Sequence, residues 1–346
     1  MRESGSSVPV RPYELLHIIA RTLFCSRGED AARDLADARL TAVWEAIRAD
    51  PFVPVTLRCN TESHFAYQNP GTDEDTPEGE LFNLKRDLDI LQRLGLTPGA
   101  TRPARQLFAL IFERIPSGEG VLYYSRVTGP AWRGSTDPAL RSYDEAVRRG
   151  IERLFPARPA EERASSKRVS LEAMRSSGAL RVRPHHLLCI TCSHGSTLQG
   201  HPADREEDNQ HEILDAVRRD PEVPITLVAG CCTVCPPCPS YDPERNLCEG
   251  ANGTMMLRDQ KKDLDVLQLL GLEYGVTMPA RELLARIFAS VHSIRQICGF
   301  GDGIVRSPEW TFCGNPFVLE SRYREYEPYV LGRANRWGIA ALGEVR

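Results

Sequence analysis

The sequence predicts an α+β fold that is mostly helical and is built as two tandem pseudo-repeats. Five sequence blocks recur in the same order, with offsets of 170–178 residues between the two copies. Long segments carry apolar residues at helical spacing, which favours amphipathic helices. Each half also holds one short β-branched run, VPVTL at 53–57 and VPITL at 223–227, which is typical of a strand. We therefore expect about five helices and one short strand in each half.

The repeat is visible as blocks that share residue types position by position. The clearest pairs are RPYELL at 11–16 with RPHHLL at 183–188, KRDLDILQRLGL at 85–96 with KKDLDVLQLLGL at 261–272, and RPARQLFALIF at 102–112 with MPARELLARIF at 278–288. Recurrence of whole blocks at one period indicates a duplicated structural unit. The sequence therefore predicts a tandem duplication.

Local signals predict the same order of elements in both halves. An Arg-Pro pair opens a short helix, and a longer helix then ends at Asp-Pro, because proline stops a helix. After the strand, a leucine-rich helix ends at Gly95 or Gly271, since glycine commonly terminates helices. The next helix begins at Pro103 or Pro279, and a tyrosine-bearing helix closes each half. In the N-terminal half the predicted helices are 12–24, 30–49, one over 84–94, one from near 103 and 138–154, with a strand at 52–58. In the C-terminal half they are 184–193, 203–219, one over 264–270, one from near 279 and 318–340, with a strand at 223–229.

The repeats are predicted to form two domains joined by a linker. The N-terminal domain extends over 1–158 and the C-terminal domain over 181–346, and the charged, small residues of 159–180 are typical of a surface linker. A lone strand leaves its main-chain groups unpaired. We therefore expect strand 53–58 to pair with strand 223–228, and the two halves to pack on each other.

Composition narrows the class of protein. A hydrophobic fraction of 41% and a charged fraction of 26% describe an ordinary globular chain. A net charge of −4 gives no reason to expect nucleic acid as a partner. No apolar run approaches the length of a signal peptide core or a membrane span, so we expect a cytoplasmic protein that does not contact a membrane. Cytoplasmic thiols stay reduced and the eleven cysteines are an odd number, which disfavours a disulfide framework.

Five of the eleven cysteines lie within nineteen residues, in the segment GCCTVCPPCPSYDPERNLC at 230–248. They are Cys231, Cys232, Cys235, Cys238 and Cys248. Thiolates at this density select zinc or iron–sulfur clusters. The corresponding N-terminal segment at 59–78 keeps only Cys59, and His17 stands where the other half has Cys189. We therefore predict a degenerate N-terminal repeat without metal ligands and a metal site in the C-terminal half.

Two ligand sets fit the spacing. A zinc site would combine two C-x2-C pairs, Cys189 with Cys192 and Cys235 with Cys238. An iron–sulfur cluster of the 4Fe–4S type would use Cys189, Cys235, Cys238 and Cys248, with a proline after Cys238 as in ferredoxin-type runs. The spacing leaves both sets open, with Cys192, Cys232 and His186 as alternate ligands.

The motif RPHHLLC at 183–189, followed by CxxCP at 235–239 and by Cys248, resembles the bacterial and archaeal domain-of-unknown-function family numbered 1284. The resemblance covers about 181–290. It implies iron–sulfur binding through Cys189, Cys235, Cys238 and Cys248, and it implies no particular reaction. Five further thiols lie outside the family pattern: Cys192, Cys231, Cys232, Cys298 and Cys313.

Three functions are compatible with the sequence. The first is an iron–sulfur protein with a redox or cluster-assisted role, which would need a redox partner or a small-molecule substrate. The second is a structural zinc module without catalysis. The third is a cysteine-dependent enzyme that acts on sulfur or small electrophilic substrates, with Cys231, Cys232 or Cys192 as the nucleophile. The sequence assigns no catalytic residue, and it leaves open whether the protein is an enzyme.

Overall fold

A computed structural model describes residues 7–24, 38–59, 80–123, 142–197, 206–250, 257–291, 297–298 and 310. The chain divides into two compact units, Met1–Pro156 and Ala157–Arg346. The structure is α+β and mostly helical, which confirms the predicted fold class. Within the described residues, no helix combines the length and the apolar character that a membrane span requires. The predicted helix at 318–340 and Cys313 lie outside the described residues.

The described part of the N-terminal unit contains five α-helices around one apolar core. In chain order they are α1 Pro12–Phe24, α2 Ala38–Ala49, α3 Glu80–Leu94, α4 Ala104–Arg114 and α5 Tyr143–Arg148. A short 3-10 helix at Ile151–Arg153 follows. Leu15 and Ile19 in α1 lie four residues apart and are fully buried, as a helix with one apolar face requires. The Tyr143 ring is also fully buried, and its hydroxyl donates a 2.7 Å hydrogen bond to the Ile115 carbonyl.

A three-stranded sheet completes the N-terminal unit. Strand β1 (Val8–Val10) is parallel to β2 (Pro54–Leu57), which is antiparallel to β3 (Thr101–Pro103). Val55 is buried, while the side chain of Thr56 points to the other face and lies 2.7 Å from the Thr101 hydroxyl. This alternation is the pattern expected for a strand with one buried face.

The described part of the C-terminal unit also contains five α-helices. They are α6 Ala160–Ser177, α7 Pro184–Thr197, α8 Gln210–Arg219, α9 Leu257–Leu270 and α10 Ala280–Ser290. The strands are β4 Leu180–Val182, β5 Pro224–Leu227, β6 Tyr241–Asp242, β7 Leu247–Cys248 and β8 Thr277–Pro279. The apolar faces of α7 to α10 pack with β4 and β5 into a second core.

The strands of the C-terminal unit form two sheets. In the first, β4 is parallel to β5 and β5 is antiparallel to β8, so its strand order and directions are those of the N-terminal sheet. The second is the β6–β7 hairpin. The predicted pairing of strand 53–58 with strand 223–228 is therefore wrong. Each of these strands finds both partners in three-residue strands of its own sheet. The duplication itself remains a prediction.

The segment predicted as a linker contains the 18-residue helix α6. Glu161 and Glu162 favour its N-terminus, where the helix dipole is positive, and Gly178 ends it with a left-handed φ of 62°. No residue of α6 is fully buried, but Met174 packs against the C-terminal core. Lys167 Nζ also donates a 2.8 Å hydrogen bond to the Asp208 carbonyl. Helix α6 is thus docked on the C-terminal unit.

Candidate metal centre

Three consecutive turns shape the cysteine loop, which we define as residues 230–250. The amide of Cys235 donates to the Cys232 carbonyl at 2.9 Å, that of Cys238 to the Cys235 carbonyl at 2.8 Å, and that of Tyr241 to the Cys238 carbonyl at 3.1 Å. Each of the first two turns has a cysteine at both its first and fourth positions. Because a β-turn brings these positions within about 7 Å, each C-x2-C pair is brought close by local geometry alone.

Two of the loop sulfurs meet an imidazole from helix α7. His186 Nδ1 lies 3.1 Å from Cys232 Sγ, and Cys232 Sγ lies 3.9 Å from Cys235 Sγ. Both thiols are buried and the histidine is partly buried. Among the described residues, this is the one group of three or more such ligand atoms that all lie within 4.8 Å of one another. The group could hold a metal ion.

Main-chain amides donate hydrogen bonds to four of the loop sulfurs. The donor and acceptor pairs are Cys232 N–H with Cys235 Sγ at 3.3 Å, Gly250 N–H with Cys248 Sγ at 3.3 Å, Ser240 N–H with Cys238 Sγ, and the Arg183 and Val234 N–H groups with Cys232 Sγ. In three of these pairs the donor lies two residues after the cysteine. Amide dipoles directed at sulfur stabilise the thiolate, and the thiolate is the form that binds metals. The backbone of the loop is therefore arranged to support thiolates.

The protonation states also suit metal binding. Hydrogen bonds from Cys231 and then Cys232 hold the pKa of Cys235 well below its usual range. Burial lowers the pKa of His186 to about 4, so its imidazole is neutral near pH 7. A thiolate and a neutral imidazole are the forms that metals bind. Burial raises the pKa of Cys238, and it raises that of Cys248 to about 12, so metal binding by these thiols would release protons.

Two of the three thiols predicted as nucleophiles, Cys231 and Cys232, are not activated. The hydrogen bond to Cys235, followed by burial, raises the pKa of Cys231, and burial raises the pKa of Cys232 well above its usual value. A nucleophilic cysteine needs a lowered pKa. The side chain of Cys192 lies outside the described residues.

A buried carboxylate fixes the helix turn that carries His186. Asp263 Oδ1 accepts a 3.0 Å hydrogen bond from the main-chain N–H of His185 and lies 2.7 Å from His185 Nδ1. Asp263 Oδ2 accepts a 2.8 Å hydrogen bond from Arg183 Nε. The His185 and His186 rings lie 4.4 Å apart between centroids. The first turn of α7 is therefore held against α9, and His186 is directed towards the loop.

The structure places one of the predicted ligands in the group of three and the other predicted ligands elsewhere on the cysteine loop and on helix α7. Of the predicted set, Cys235 belongs to the group of three, whereas Cys238 lies on the next turn. Cys248 pairs with Tyr241 in the β6–β7 hairpin, which folds the chain back beside the cysteine turns. Cys189 lies in α7, partly buried, one turn after His185. The alternates Cys232 and His186 complete the group of three.

The N-terminal unit has the same contact between an arginine and a buried aspartate, but its described residues include only one cysteine. Arg11 Nε donates a 2.8 Å hydrogen bond to Asp87 Oδ2, and the Tyr13 amide donates to Asp87 Oδ1 at 3.0 Å. Within the described residues of this unit the one cysteine is Cys59, which is fully buried, and burial raises its pKa to about 12. His17 lies 3.3 Å from Arg86 Nη1. The described part of this unit therefore lacks a comparable ligand group.

Comparison with known proteins shows similarity to one protein family over part of the C-terminal unit. A family model described as "protein of unknown function (DUF1284)" matches residues 207–301. That segment includes the cysteine loop and ends after α10, and it does not include His186 or Cys189. No curated protein and no solved structure matches the chain. Over residues 207–301 the chain is thus similar to this family, and the resemblance predicted from its cysteine motif is confirmed.

Proposed function

We propose that the C-terminal unit binds a single tetrahedral metal ion, with zinc as the most suitable metal and His186, Cys232 and Cys235 as ligands. The observation that carries this proposal is the 3.9 Å separation of Cys232 Sγ and Cys235 Sγ. A zinc–sulfur bond of about 2.3 Å in a tetrahedral site gives sulfurs about 3.8 Å apart. The two thiols already lie at the distance that one ion requires, and His186 Nδ1 lies beside them.

The fourth ligand would come from the same loop. Cys238 and Cys248 are the candidates, because their sulfurs accept main-chain amide hydrogen bonds of the same i to i+2 kind as Cys232. Such bonds orient ligands and tune the metal. A closed site with four protein ligands is typical of structural zinc.

The role that fits this site is stabilisation of the fold. Cys232, Val234 and Cys235 belong to the buried core of the C-terminal unit, and the regular structure of the cysteine loop around them is limited to turns and a hairpin with two residues in each strand. A metal that ties this loop to α7 would add binding free energy to the free energy of folding. Zinc has no redox chemistry, so this function involves no electron transfer.

The second candidate is an iron–sulfur cluster of the 4Fe–4S type with a redox or cluster-assisted role. The amide hydrogen bonds to Cys232, Cys235, Cys238 and Cys248 favour it, because hydrogen bonds to sulfur tune the potentials of clusters. The family resemblance supports it as well. The predicted cluster set, Cys189, Cys235, Cys238 and Cys248, does not use Cys232. If Cys232 replaced one of these ligands, its sulfur and that of Cys235 would have to move apart, because each thiolate of such a cluster binds a different iron. A redox partner or a small-molecule substrate and a cytoplasmic location would accompany this function.

Metal analysis of the full chain tests both candidates. The protein is purified without oxygen, and zinc, iron and acid-labile sulfide are measured per chain together with the visible spectrum. We expect a colourless protein with one equivalent of zinc and no sulfide. A brown protein with iron and sulfide in equal amounts would establish the second candidate. A chain that retains no metal and binds none when reconstituted would exclude both.

A further inference from the structure

Arg158 connects the start of helix α6 to the cysteine loop. Its Nη1 donates hydrogen bonds to the carbonyl of Pro236 at 2.8 Å and to that of Cys238 at 3.1 Å. The side chain is only 11% exposed. The arginine lies more than 70 residues before the loop in sequence, and no motif in the sequence singles it out.

The remaining contacts fix the guanidinium in one orientation. Arg158 Nε donates to Glu162 Oε1 at 2.9 Å and Nη2 donates to Ser166 Oγ at 2.8 Å. Arg158 lies two residues before α6, and Glu162 and Ser166 are spaced by four and so lie on one face of that helix. The guanidinium also lies 5.5 Å from the centre of the Tyr241 ring. A planar group with several fixed donors can make all these contacts together, whereas a lysine ammonium cannot.

The two carbonyls belong to the turn that separates Cys235 from Cys238. The Cys238 amide closes this turn on the Cys235 carbonyl at 2.8 Å, and the Tyr241 amide donates to the Cys238 carbonyl at 3.1 Å. Arg158 therefore adds a donor from outside the loop to the Pro236 carbonyl and a second donor to the Cys238 carbonyl. Holding them sets the orientation of the turn and, with it, the direction of the Cys238 side chain relative to Cys235.

A second contact ties the beginning of the same turns to α6. Asn209 Nδ2 donates at 2.9 Å both to Ser170 Oγ on α6 and to the Thr233 carbonyl in the loop. The loop is therefore held from one helix at two points, at Thr233 and at Pro236 with Cys238.

We propose that Arg158 is a positioning residue for the metal site and that α6 is part of the metal-binding module. This inference rests on the proposed function. The family match begins at residue 207, so α6 and Arg158 lie outside the segment that resembles the family. Arg158 acts by preorganising the turn before the metal arrives, because a ligand that is already oriented loses less conformational freedom on binding.

The test compares full-length variants that change either the hydrogen bonds from Arg158 to the loop carbonyls or only the docking of α6. Arg158→Gln removes both the positive charge and the planar set of guanidinium donors. Arg158→Lys keeps the charge but removes the planar set of donors. Lys167→Ala is the matched control, because Lys167 docks α6 through the Asp208 carbonyl and the Glu212 carboxylate. Zinc affinity is measured by competition with a chromophoric chelator, and the geometry of the site by the absorption spectrum after cobalt substitution. Thermal unfolding of each metal-free variant is the third readout.

We expect both Arg158 variants to bind zinc about 10- to 100-fold more weakly than wild type, the range seen when groups that support metal ligands are lost. Their cobalt spectra should differ from that of wild type, while Lys167→Ala keeps both the wild-type affinity and spectrum. Metal-free Arg158→Gln should unfold at a temperature close to that of metal-free Lys167→Ala. If Arg158→Gln does not fold, Glu162→Gln is the substitute, with a smaller weakening in the same direction.

Three results would overturn the inference. Wild-type zinc affinity in Arg158→Gln, or in the substitute Glu162→Gln, would show that the hydrogen bonds from Arg158 to the loop carbonyls are dispensable for metal binding. Wild-type affinity in Arg158→Lys would show that charge alone suffices. An equal loss in Lys167→Ala would assign the effect to docking of the helix. If the wild-type chain binds neither zinc nor a cluster, the proposed function fails, whereas normal binding by all variants removes only the role of Arg158. If the wild-type chain carries a cluster, cluster content and visible spectrum replace zinc affinity and the cobalt spectrum.

Discussion

Arg183 and Asp263 form an almost completely buried ion pair, with 2.8 Å between Arg183 Nε and Asp263 Oδ2. The other carboxylate oxygen holds the main-chain N–H of His185. The N-terminal unit has the same arrangement in Arg11 and Asp87, also at 2.8 Å. Because the N-terminal pair has only the single buried thiol of Cys59 near it and no group of metal ligands among the described residues, we interpret the pair as an element of the fold. In the C-terminal unit it also fixes the turn that carries the candidate metal ligand.

Replacement of Asp263 by alanine should destabilise the C-terminal unit strongly. The change leaves the Arg183 charge buried without its partner, which typically costs about 3–5 kcal/mol. Urea unfolding of the full chain measures the free energy of unfolding. The control is Asp265→Ala on the same helix, because Asp265 forms an exposed i, i+4 pair with Lys261 and should contribute less than about 1 kcal/mol. Equal effects of the two substitutions would contradict this role for Asp263.

Cys235→Ala should abolish metal binding by the whole chain. Cys235 belongs to the zinc group and to the predicted cluster set, so its loss removes a ligand in either case. The N-terminal unit should not retain metal, since its described thiol, Cys59, is enclosed in the core. Metal content and thermal stability of the variant are compared with those of Cys298→Ala, which removes a thiol outside the loop. Stoichiometric metal in Cys235→Ala would disprove the assignment.

His186→Ala and Cys248→Ala should separate the two candidate functions. A mononuclear site built on His186, Cys232 and Cys235 loses its metal in His186→Ala and tolerates Cys248→Ala if Cys238 is the fourth ligand. A cluster held by four cysteines behaves in the opposite way. Zinc, iron and sulfide are measured in both variants under the same anaerobic conditions. Loss of metal in both would identify Cys248 as the fourth ligand of the mononuclear site or His186 as essential to a cluster.

Cys192→Ala tests the zinc set that the sequence suggested from two C-x2-C pairs. That set requires Cys192 and can spare Cys248, whereas neither the mononuclear site nor the predicted cluster set requires Cys192. We therefore expect Cys192→Ala to keep its full metal content. Loss of metal in Cys192→Ala together with retention in Cys248→Ala would restore the two-pair zinc site.

His17 should make the stability of the N-terminal unit depend on pH. Burial, with the nearby charges of Arg86 and Arg21, holds the pKa of His17 well below 6.5, so the folded state keeps a neutral imidazole. As pH falls below 6.5, the unfolded chain gains a proton that the folded chain does not, and the free energy of unfolding decreases. The expected loss is about 1.4 kcal/mol for each pH unit, until the folded pKa is reached.

The pH effect is measured as the difference between wild type and His17→Gln in urea unfolding from pH 7 to pH 5. The comparison is needed because burial raises the pKa of Asp87 to about 6, which shifts the wild-type stability in the opposite direction. The advantage of wild type over His17→Gln should shrink as the pH falls. A constant difference over this range would show that His17 titrates alike in the folded and unfolded states.

Local signals in the sequence predicted the helices well and the sheets poorly. Helix 12–24 has the predicted bounds, because an Arg-Pro start and a dense apolar face specify it locally. The sequence does not predict the three-residue strands β1, β3, β4 and β8, because three residues are too few to show an alternating pattern. The same shortness led to the wrong pairing of strands 53–58 and 223–228. The sequence predicts a linker where helix α6 lies, because the residues of this helix are mostly polar and its apolar contact is limited to one side.

The sequence by itself determined that the cysteine loop can bring thiols together, because C-x2-C spacing places each pair on one turn whatever the rest of the chain does. Only the tertiary structure decided which side chains meet them. His186 and Cys232 are 46 residues apart, and Arg158 is 78 residues from Pro236. Their contacts depend on how α6, α7 and the loop pack on one core. No local pattern encodes such contacts, because burial of apolar faces and the buried Arg183–Asp263 pair set them through residues far apart in the chain.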